Sequence, residues 1–294
     1  MLFLGVFLMA VSLKGQTDLP IKSSVFITPP LRNLVDQNLE TRLFQELNAN
    51  PTYARLIKEK RLAVGLVDLR NPYKARFARV NGNEMMYAAS LPKIAILLAA
   101  MDALEKGELE DSPENRQLMH QMICYSNNQS STALIDKLGY EKIEAVLTAP
   151  QYELYDEDYG GGLWVGKRYA ASGQRYPDPI KGLSHAASVS QVCRFYYQLA
   201  MGKLVNRQRS KEMLDLMDDP ALHHKFVNTL DRLAPEATVY RKSGSWKSFH
   251  SDSMLVWGED PQRRYILVAL TEAENGEQII RDMVVVAESI LDLQ

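Results

Sequence analysis

The feature that most constrains the fold is an apolar run from Ile94 to Met101, which Leu104 continues. Its hydrophobic residues fall on nearly every side of a helix instead of along one stripe. A helix with this pattern is stable only when other elements cover it on all sides. The sequence therefore predicts a helix that lies inside the protein.

Ser90 and Lys93 come just before this run, and residues three apart share one face of a helix. A serine hydroxyl is a poor nucleophile at neutral pH unless a neighbouring base takes its proton. A lysine in an apolar interior has a lowered pKa and can act as that base. Unpaired N–H groups at a helix start can also stabilise developing negative charge. The pair is a candidate nucleophile and base, but a capping serine beside a surface lysine would give the same pattern.

Composition excludes several functions for this chain of 294 residues, which is long enough for one large domain or two interleaved lobes. Its net charge of −2 provides no basic surface for nucleic acid, so we expect none to bind. Cys124 and Cys193 form no Cys-x-x-Cys motif, and His223-His224 has no ligand spacing around it. We expect no metal and no cofactor. Whether the two thiols pair stays open.

The N-terminus carries an apolar run from Leu2 to Leu13. It is too short to span a bilayer and has the length of the central part of a secretory signal. We expect a signal peptide over 1–15, a linker over 16–37 and the main domain over 38–294, in an exported, periplasmic monomer with no membrane span after cleavage. The alternative is an apolar N-terminal strand.

Periodicity along the chain predicts an α+β fold. The predicted strands lie near both ends of the main domain, at 61–69, 77–80, 238–246, 253–257 and 264–271. Helical spacing covers 31–60 with a break near Asn50-Pro51, most of the region between the strands except 149–183, and 278–291. This order predicts an antiparallel sheet built from both ends of the domain, with a helical lobe inserted at about 90–235.

Two further stretches carry chemistry. Ser126-Asn127-Asn128 precedes a predicted helix, where serine and asparagine are also common as caps. Lys242-Ser243-Gly244 lies in a predicted strand. With Ser90-x-x-Lys93 they form an ordered set that resembles the serine β-lactamase and penicillin-binding protein superfamily, whose signatures are S-x-x-K, S-D-N or S-x-N, and K-T-G. The segments around the first two motifs look like those of class A β-lactamases.

The resemblance implies a sheet of about five antiparallel strands flanked by helices, with the site between sheet and helical lobe. It also implies a role for each motif residue. Ser90 would attack the carbonyl of a β-lactam or D-alanyl peptide with Lys93 as base, and the backbone N–H groups of Ser90 and Ser245 would form the oxyanion hole. The other implied roles are proton relay to the leaving nitrogen for Ser126, substrate amide binding for Asn128, carboxylate binding for Lys242 and Ser243, and room for substrate at Gly244.

Three departures from class A enzymes stand out. Asn127 replaces the usual aspartate, and Ser90 and Ser126 are only 36 positions apart (126 − 90), so part of the helical lobe is missing. The long segment 149–183 has no Glu-x-x-Leu-Asn, the motif that supplies the deacylating glutamate. Candidates for a replacement base are Glu153 and Glu157, among other acidic residues of this segment and the following His185.

Several functions remain open on this pattern. The first is a β-lactamase that opens β-lactam rings through an acyl-enzyme on Ser90, with a role in antibiotic resistance or β-lactam catabolism. The second is a D-alanyl-D-alanine carboxypeptidase or transpeptidase, and the third is a penicillin-binding sensor that stays acylated. An esterase on the same scaffold is a further alternative.

Overall fold

The computed structural model describes residues 19–21, 29–218 and 220–293. The expected signal peptide and residues 16–18 and 22–28 of the expected linker lie outside these residues. The helices are α1 (Gln37–Asn48), α2 (Pro51–Lys58), α3 (Lys93–Glu105), α4 (Pro113–Cys124), α5 (Asn128–Leu138), α6 (Tyr140–Thr148), α7 (Val189–Ala200), α8 (Arg207–Met217), α9 (Phe226–Leu233) and α10 (Gly276–Ile290). The strands are β1 (Leu62–Asp68), β2 (Arg76–Val80), β3 (Met86–Tyr87), β4 (Tyr155–Asp156), β5 (Gly161–Gly162), β6 (Trp164–Val165), β7 (His185–Ala187), β8 (Thr238–Trp246), β9 (Phe249–Trp257) and β10 (Arg264–Glu272).

Local sequence sets the ends of the first helices. The Asp36 carboxylate accepts a hydrogen bond from the Leu39 N–H at 2.9 Å and so caps α1. Asn50 caps α2 in the same way, with Pro51 at the first helical position, where a missing N–H costs nothing. The predicted break near Asn50-Pro51 is confirmed as the boundary between two helices.

The main sheet is antiparallel and has five strands in the order β2-β1-β10-β9-β8. Strands from the two ends of the domain meet where β1 pairs with β10, with Leu66 opposite Leu267. The predicted α+β fold with a five-stranded antiparallel sheet is therefore confirmed. β8 lies at one edge of this sheet, and this edge faces the site described below.

Both faces of the sheet are covered by helices. Alternate residues of β10 point to opposite sides, so that Val268 lies in one hydrophobic core and Leu267 in the other. The first core packs the sheet against α3 to α8, and the second packs it against α1, α2, α9 and α10. Twelve of the thirteen residues of α3 are buried, which confirms the predicted interior helix.

The expected linker is partly built into the domain. Leu19, Ile21 and Leu31 are buried in the first core, because each covers apolar surface that would otherwise meet water. The described part of the extension is therefore a packed segment and not a free tether. In the described part of the chain, no helix is both long and apolar enough to cross a membrane.

Candidate active site

Ser90 lies in the turn that precedes α3, and α3 itself begins at Lys93. We expected both residues in the first helical turn, but Pro92 disfavours helical geometry at the residue before it. The Lys93 N–H instead donates to the Ser90 carbonyl at 3.3 Å, which closes a tighter turn. Ala89 has a φ of 51°, an unfavourable value for a residue with a Cβ. Such strain persists where surrounding structure enforces it, often at functional sites.

The Ser90 turn is held against the edge of the sheet. The Ser251 hydroxyl on β9 donates to the Ala88 carbonyl at 2.8 Å. A Cβ added to Gly244 would lie 2.5 Å from the Ser90 nitrogen and 2.4 Å from the Ala88 oxygen. Only glycine permits this close approach between β8 and the turn. We expected Gly244 to leave room for substrate, and the structure shows that it also leaves room for the nucleophile's own backbone.

Lys93 is completely buried beside this turn. Its Nζ donates to the Ser126 carbonyl at 2.6 Å and to the Asn128 Oδ1 at 2.8 Å. Burial lowers the pKa of Lys93 to about 7. A large fraction of Lys93 is therefore a neutral amine at neutral pH, as a base for Ser90 requires. Because the Asn128 oxygen accepts from Lys93, its amide nitrogen is the group that can donate to a substrate.

Ser126 lies between two lysines. Lys242 Nζ donates to the Ser126 hydroxyl at 2.8 Å, and Lys93 Nζ lies 3.4 Å from the same oxygen. Burial, together with the nearby charge of Lys93, holds the pKa of Lys242 well below its ordinary value. The structure thus brings together the residues of all three motifs, and the Ser126 hydroxyl can pass a proton between two tuned amines.

An open cleft of about 710 Å³ gives access to Ser90. One wall comes from the edge strand, with Ser245 and Trp246, and the other comes from the end of the long 149–183 segment. The remaining lining residues are Tyr87, Ala89, Asn128, Lys167, Arg168, Tyr169, Ala170, Ala171, Leu183, Ser184, His185 and Phe249. None of these described lining residues is a carboxylate.

Tyr169 lines the cleft and contacts the turn that carries the nucleophile. Its hydroxyl donates to the Ala89 carbonyl at 3.2 Å, and its ring centre lies 4.5 Å from Lys93 Nζ. An aromatic face at this distance attracts the ammonium form of the lysine. No motif marks Tyr169 in the sequence, and its place depends on how the long segment returns to the sheet.

The two acidic candidates for a deacylation base lie elsewhere. Glu153 forms an ion pair with Arg194 at 2.9 Å, and Glu157 is an exposed residue of a short turn. Both line a separate shallow depression. β4 pairs with β5 and folds this part of the segment back on itself before the chain reaches the cleft. Their placement therefore gives no support for either residue as the water-activating base.

His185 lines the cleft, but both of its ring nitrogens already have polar partners. Burial lowers the pKa of His185 to about 4, so its ring is neutral at pH 7. Its Nε2–H donates to the Lys167 carbonyl at 2.9 Å, which fixes the end of the cleft wall to β7. The other ring nitrogen lies 3.3 Å from the Ser184 hydroxyl.

The segment 222–226 approaches the site from the far side of β8, which sequence patterns did not reveal. His224 Nε2 lies 3.1 Å from the Ser243 hydroxyl. Burial lowers the pKa of His224 to about 4, so it is neutral at pH 7. Its neighbour His223 is exposed and pairs with Asp231. One histidine of the pair is therefore at the surface and the other is at the site. No spacing in the sequence identifies which of the two reaches the site.

A buried ion pair holds this segment in place. Arg241 and Asp252, neighbours on β8 and β9, are 1% and 0% exposed and form two hydrogen bonds of 2.8 Å. Arg241 also donates to the His224 carbonyl at 3.1 Å, and Asp252 accepts from the Phe226 N–H at 3.1 Å. The pair therefore connects the segment to the strand that carries Lys242.

We expect Arg241→Met to destabilise the protein by about 3–5 kcal/mol, since it leaves the Asp252 carboxylate buried without a partner. Urea unfolding followed by circular dichroism measures this loss. The control is Arg281→Met, which breaks a more exposed ion pair with Glu277 and should cost less than about 1 kcal/mol. Equal losses for the two variants would contradict this description of the ion pair.

The sequence matches the model of the beta-lactamase enzyme family over residues 110–288, which is more than half of the chain. This range contains Ser126 and Lys242, and Ser90 precedes it. No curated protein matches the sequence.

Solved structures share the fold at low sequence identity. A beta-lactamase from Sphaerobacter thermophilus matches with a TM-score of 0.66 and 15% identity, over 86% of this chain and 98% of that one. A mutant of PBP-A, in an acyl-enzyme complex with penicillin G, matches with a TM-score of 0.65 and 18% identity, over 90% of this chain and 100% of that one. The class A beta-lactamase of the last common ancestor of Gram-negative bacteria matches with a TM-score of 0.64 and 16% identity, over 85% and 98%. By its family match, its fold and its three assembled motifs, the chain belongs to the beta-lactamase enzyme family and is a serine β-lactamase or penicillin-binding-protein-like hydrolase.

Proposed function

We propose that the protein is an acyl-transferring serine hydrolase of the penicillin-binding kind, which β-lactams acylate at Ser90 and which releases the penicilloyl group slowly. The observation that carries this proposal is the contrast within the cleft. Lys93, Ser126 and Lys242 form one hydrogen-bonded cluster. Its partner Asn128 lines the cleft with Ser90, whereas no described lining residue is a carboxylate able to activate water.

The geometry supports acylation of Ser90 in the following steps. Lys93 as a neutral amine takes the proton of the Ser90 hydroxyl while the oxygen attacks the substrate carbonyl. The N–H groups of Ser90 and Ser245 stabilise the resulting oxyanion. Ser126 then donates its proton to the leaving nitrogen, and Lys242 replaces that proton through their 2.8 Å hydrogen bond. The carbonyl carbon gains a bond to Ser90 and loses its bond to nitrogen.

The same cleft suits an acyl donor that carries a carboxylate and an extended chain. Lys242 and Ser243 are adjacent residues of the edge strand, and their ammonium and hydroxyl groups are the expected ligands of this carboxylate. Beyond the bridge between Tyr240 and Asp218, the outer edge of β8 can pair with an extended peptide, and the exposed Trp246 offers it an apolar surface. A D-alanyl peptide of the cell wall has these features, and the export that we expect from the N-terminal run would place the enzyme beside it.

Release of the acyl group distinguishes this proposal from a β-lactamase. The names of two of the structural neighbours and of the family favour a β-lactamase, which is the second candidate. Intact-protein mass spectrometry after mixing with a penicillin separates the two. We expect an adduct that persists for many minutes after free drug is removed. An adduct that disappears within seconds, while the drug accumulates in hydrolysed form, would contradict slow release and establish a β-lactamase.

A further inference from the structure

A third buried lysine lies under the edge strand and is not part of any sequence motif. Lys225 is fully buried, and its Nζ donates to the Gly244 carbonyl at 2.5 Å, to the Ser245 hydroxyl at 2.8 Å and to the Ser251 carbonyl at 3.0 Å. All three acceptors are uncharged oxygens. An ammonium group is costly to bury in this way, which is why its pKa falls to about 8. Such a cost suggests that the lysine acts on the strand that it contacts.

Lys225 contacts the peptide group whose N–H is an expected donor of the oxyanion hole. The Gly244 carbonyl and the Ser245 N–H are the two ends of one planar peptide unit, and in a trans peptide they point in opposite directions. A donor bound to the carbonyl therefore fixes the direction of the N–H. Hydrogen bonds in such a chain also polarise one another, and charged donors form the strongest of them.

We propose that Lys225 is a positioning residue of the oxyanion hole: by binding the Gly244 carbonyl, its ammonium aims and polarises the Ser245 N–H toward the developing oxyanion. This inference rests on the acyl-transfer function proposed above. Lys225 does not touch the substrate, and it acts only through the Gly244–Ser245 peptide.

The surrounding structure holds Lys225 in a conformation that it would not adopt alone. Its φ of 54° lies in the left-handed region, at the residue just before α9. The next N–H, of Phe226, is bound by Asp252, and the preceding carbonyl, of His224, is bound by Arg241. The strain is therefore maintained by the buried ion pair on both sides of Lys225.

The same network reaches the turn that carries the other expected donor of the hole. The Ser251 hydroxyl lies 3.3 Å from the Gly244 carbonyl and donates to the Ala88 carbonyl at 2.8 Å, two residues before Ser90. Ser251 thus joins the Gly244–Ser245 peptide to the Ala88–Ala89 peptide, which directly precedes the peptide that presents the Ser90 N–H, and Lys225 is the charged donor.

The test compares the wild type with Lys225→Met and Lys225→Arg. After acylation with a penicillin carrying ¹³C at the lactam carbonyl, the infrared stretch of the Ser90 ester reports the strength of the hole. We expect Lys225→Met to raise this frequency and to slow acylation about tenfold, less than the cost of about 10²- to 10³-fold for removing a donor outright. Lys225→Arg, which keeps a charged donor, should restore part of both effects. A folded Lys225→Met protein with an unchanged frequency would overturn the proposal.

Two further measurements cover the other outcomes. If Lys225→Met does not fold, Ser251→Ala takes its place in the test. This variant keeps the lysine and removes the weaker donor to the Gly244 carbonyl, so we expect a smaller rise in the ester frequency. No rise would contradict the network. If the wild type forms no adduct, the proposed function fails, and the Ser245 amide ¹⁵N shift in the free protein tests the inference. The wild type and Lys225→Arg should give similar shifts. A folded Lys225→Met, or Ser251→Ala in its place, should give a different shift if Lys225 polarises the peptide. Identical shifts in all of these proteins would refute the inference.

Discussion

Ser90→Ala should form no covalent adduct with any penicillin. The hydroxyl oxygen is the only atom that the proposed mechanism joins to the acyl group, and alanine removes it. The Ser126 hydroxyl is bound by Lys242, and in this mechanism it donates a proton instead of attacking, so it should not replace the nucleophile. Labelling with a fluorescent penicillin, followed by gel electrophoresis, measures the loss. The label should fall to background, because no other step can form the ester.

Ser190→Ala is the matched control for this experiment. Ser190 is also a partly buried serine, and its hydroxyl accepts a weak hydrogen bond from Arg79. It does not line the cleft. We expect labelling within about twofold of the wild type, as for a substitution far from the chemistry. Labelling of Ser90→Ala at the wild-type rate would show that another residue is the nucleophile.

Lys93→Met should slow acylation by about 10²- to 10⁴-fold, the usual contribution of a general base. The pKa of Lys93, lowered to about 7, also predicts the pH dependence in the wild type. The neutral amine is the active form, so its fraction grows as the pH rises through 7. The acylation rate constant should therefore increase with pH through this region and then level off.

Stopped-flow measurements of acylation over a range that brackets pH 7 test this profile. Lys93→Arg is the control, because its side chain keeps a positive charge and cannot serve as a base at any of these pH values. Lys93→Arg should be acylated slowly, and its rate constant should not increase with pH near neutrality. If the increase came from the titration of Lys242, it would remain in this variant. A wild-type profile that is retained in Lys93→Arg would assign the increase to another group.

The sequence predicts those parts of the fold that depend on local patterns. The interior helix α3 follows from apolar residues on all its sides, and the break between α1 and α2 follows from Asn50 and Pro51. The strands at both ends of the domain show clear apolar runs. The three motifs can be recognised because each needs few residues at short spacing.

The parts that were missed depend on contacts between distant segments. His224 and Lys225 reach the site because Arg241 and Asp252, on two strands, bind the backbone around them. No local pattern in 222–226 contains that information. Glu153 and Glu157 lie in the expected segment, next to the two-residue pairing of β4 with β5, and they line a depression separate from the cleft. A pairing this short leaves no period in the sequence.

The measurement that tests the central claim most directly is the location of the penicilloyl group on the wild-type protein. Trypsin cleavage after Arg79 and Lys93 releases a peptide over 80–93, in which Ser90 is the only serine or threonine. We predict that tandem mass spectrometry finds the added mass of the drug on this peptide and assigns it to Ser90. An adduct on any other peptide, or no adduct at a penicillin concentration far above that of the protein, would contradict the proposal that Ser90 is an acylated nucleophile.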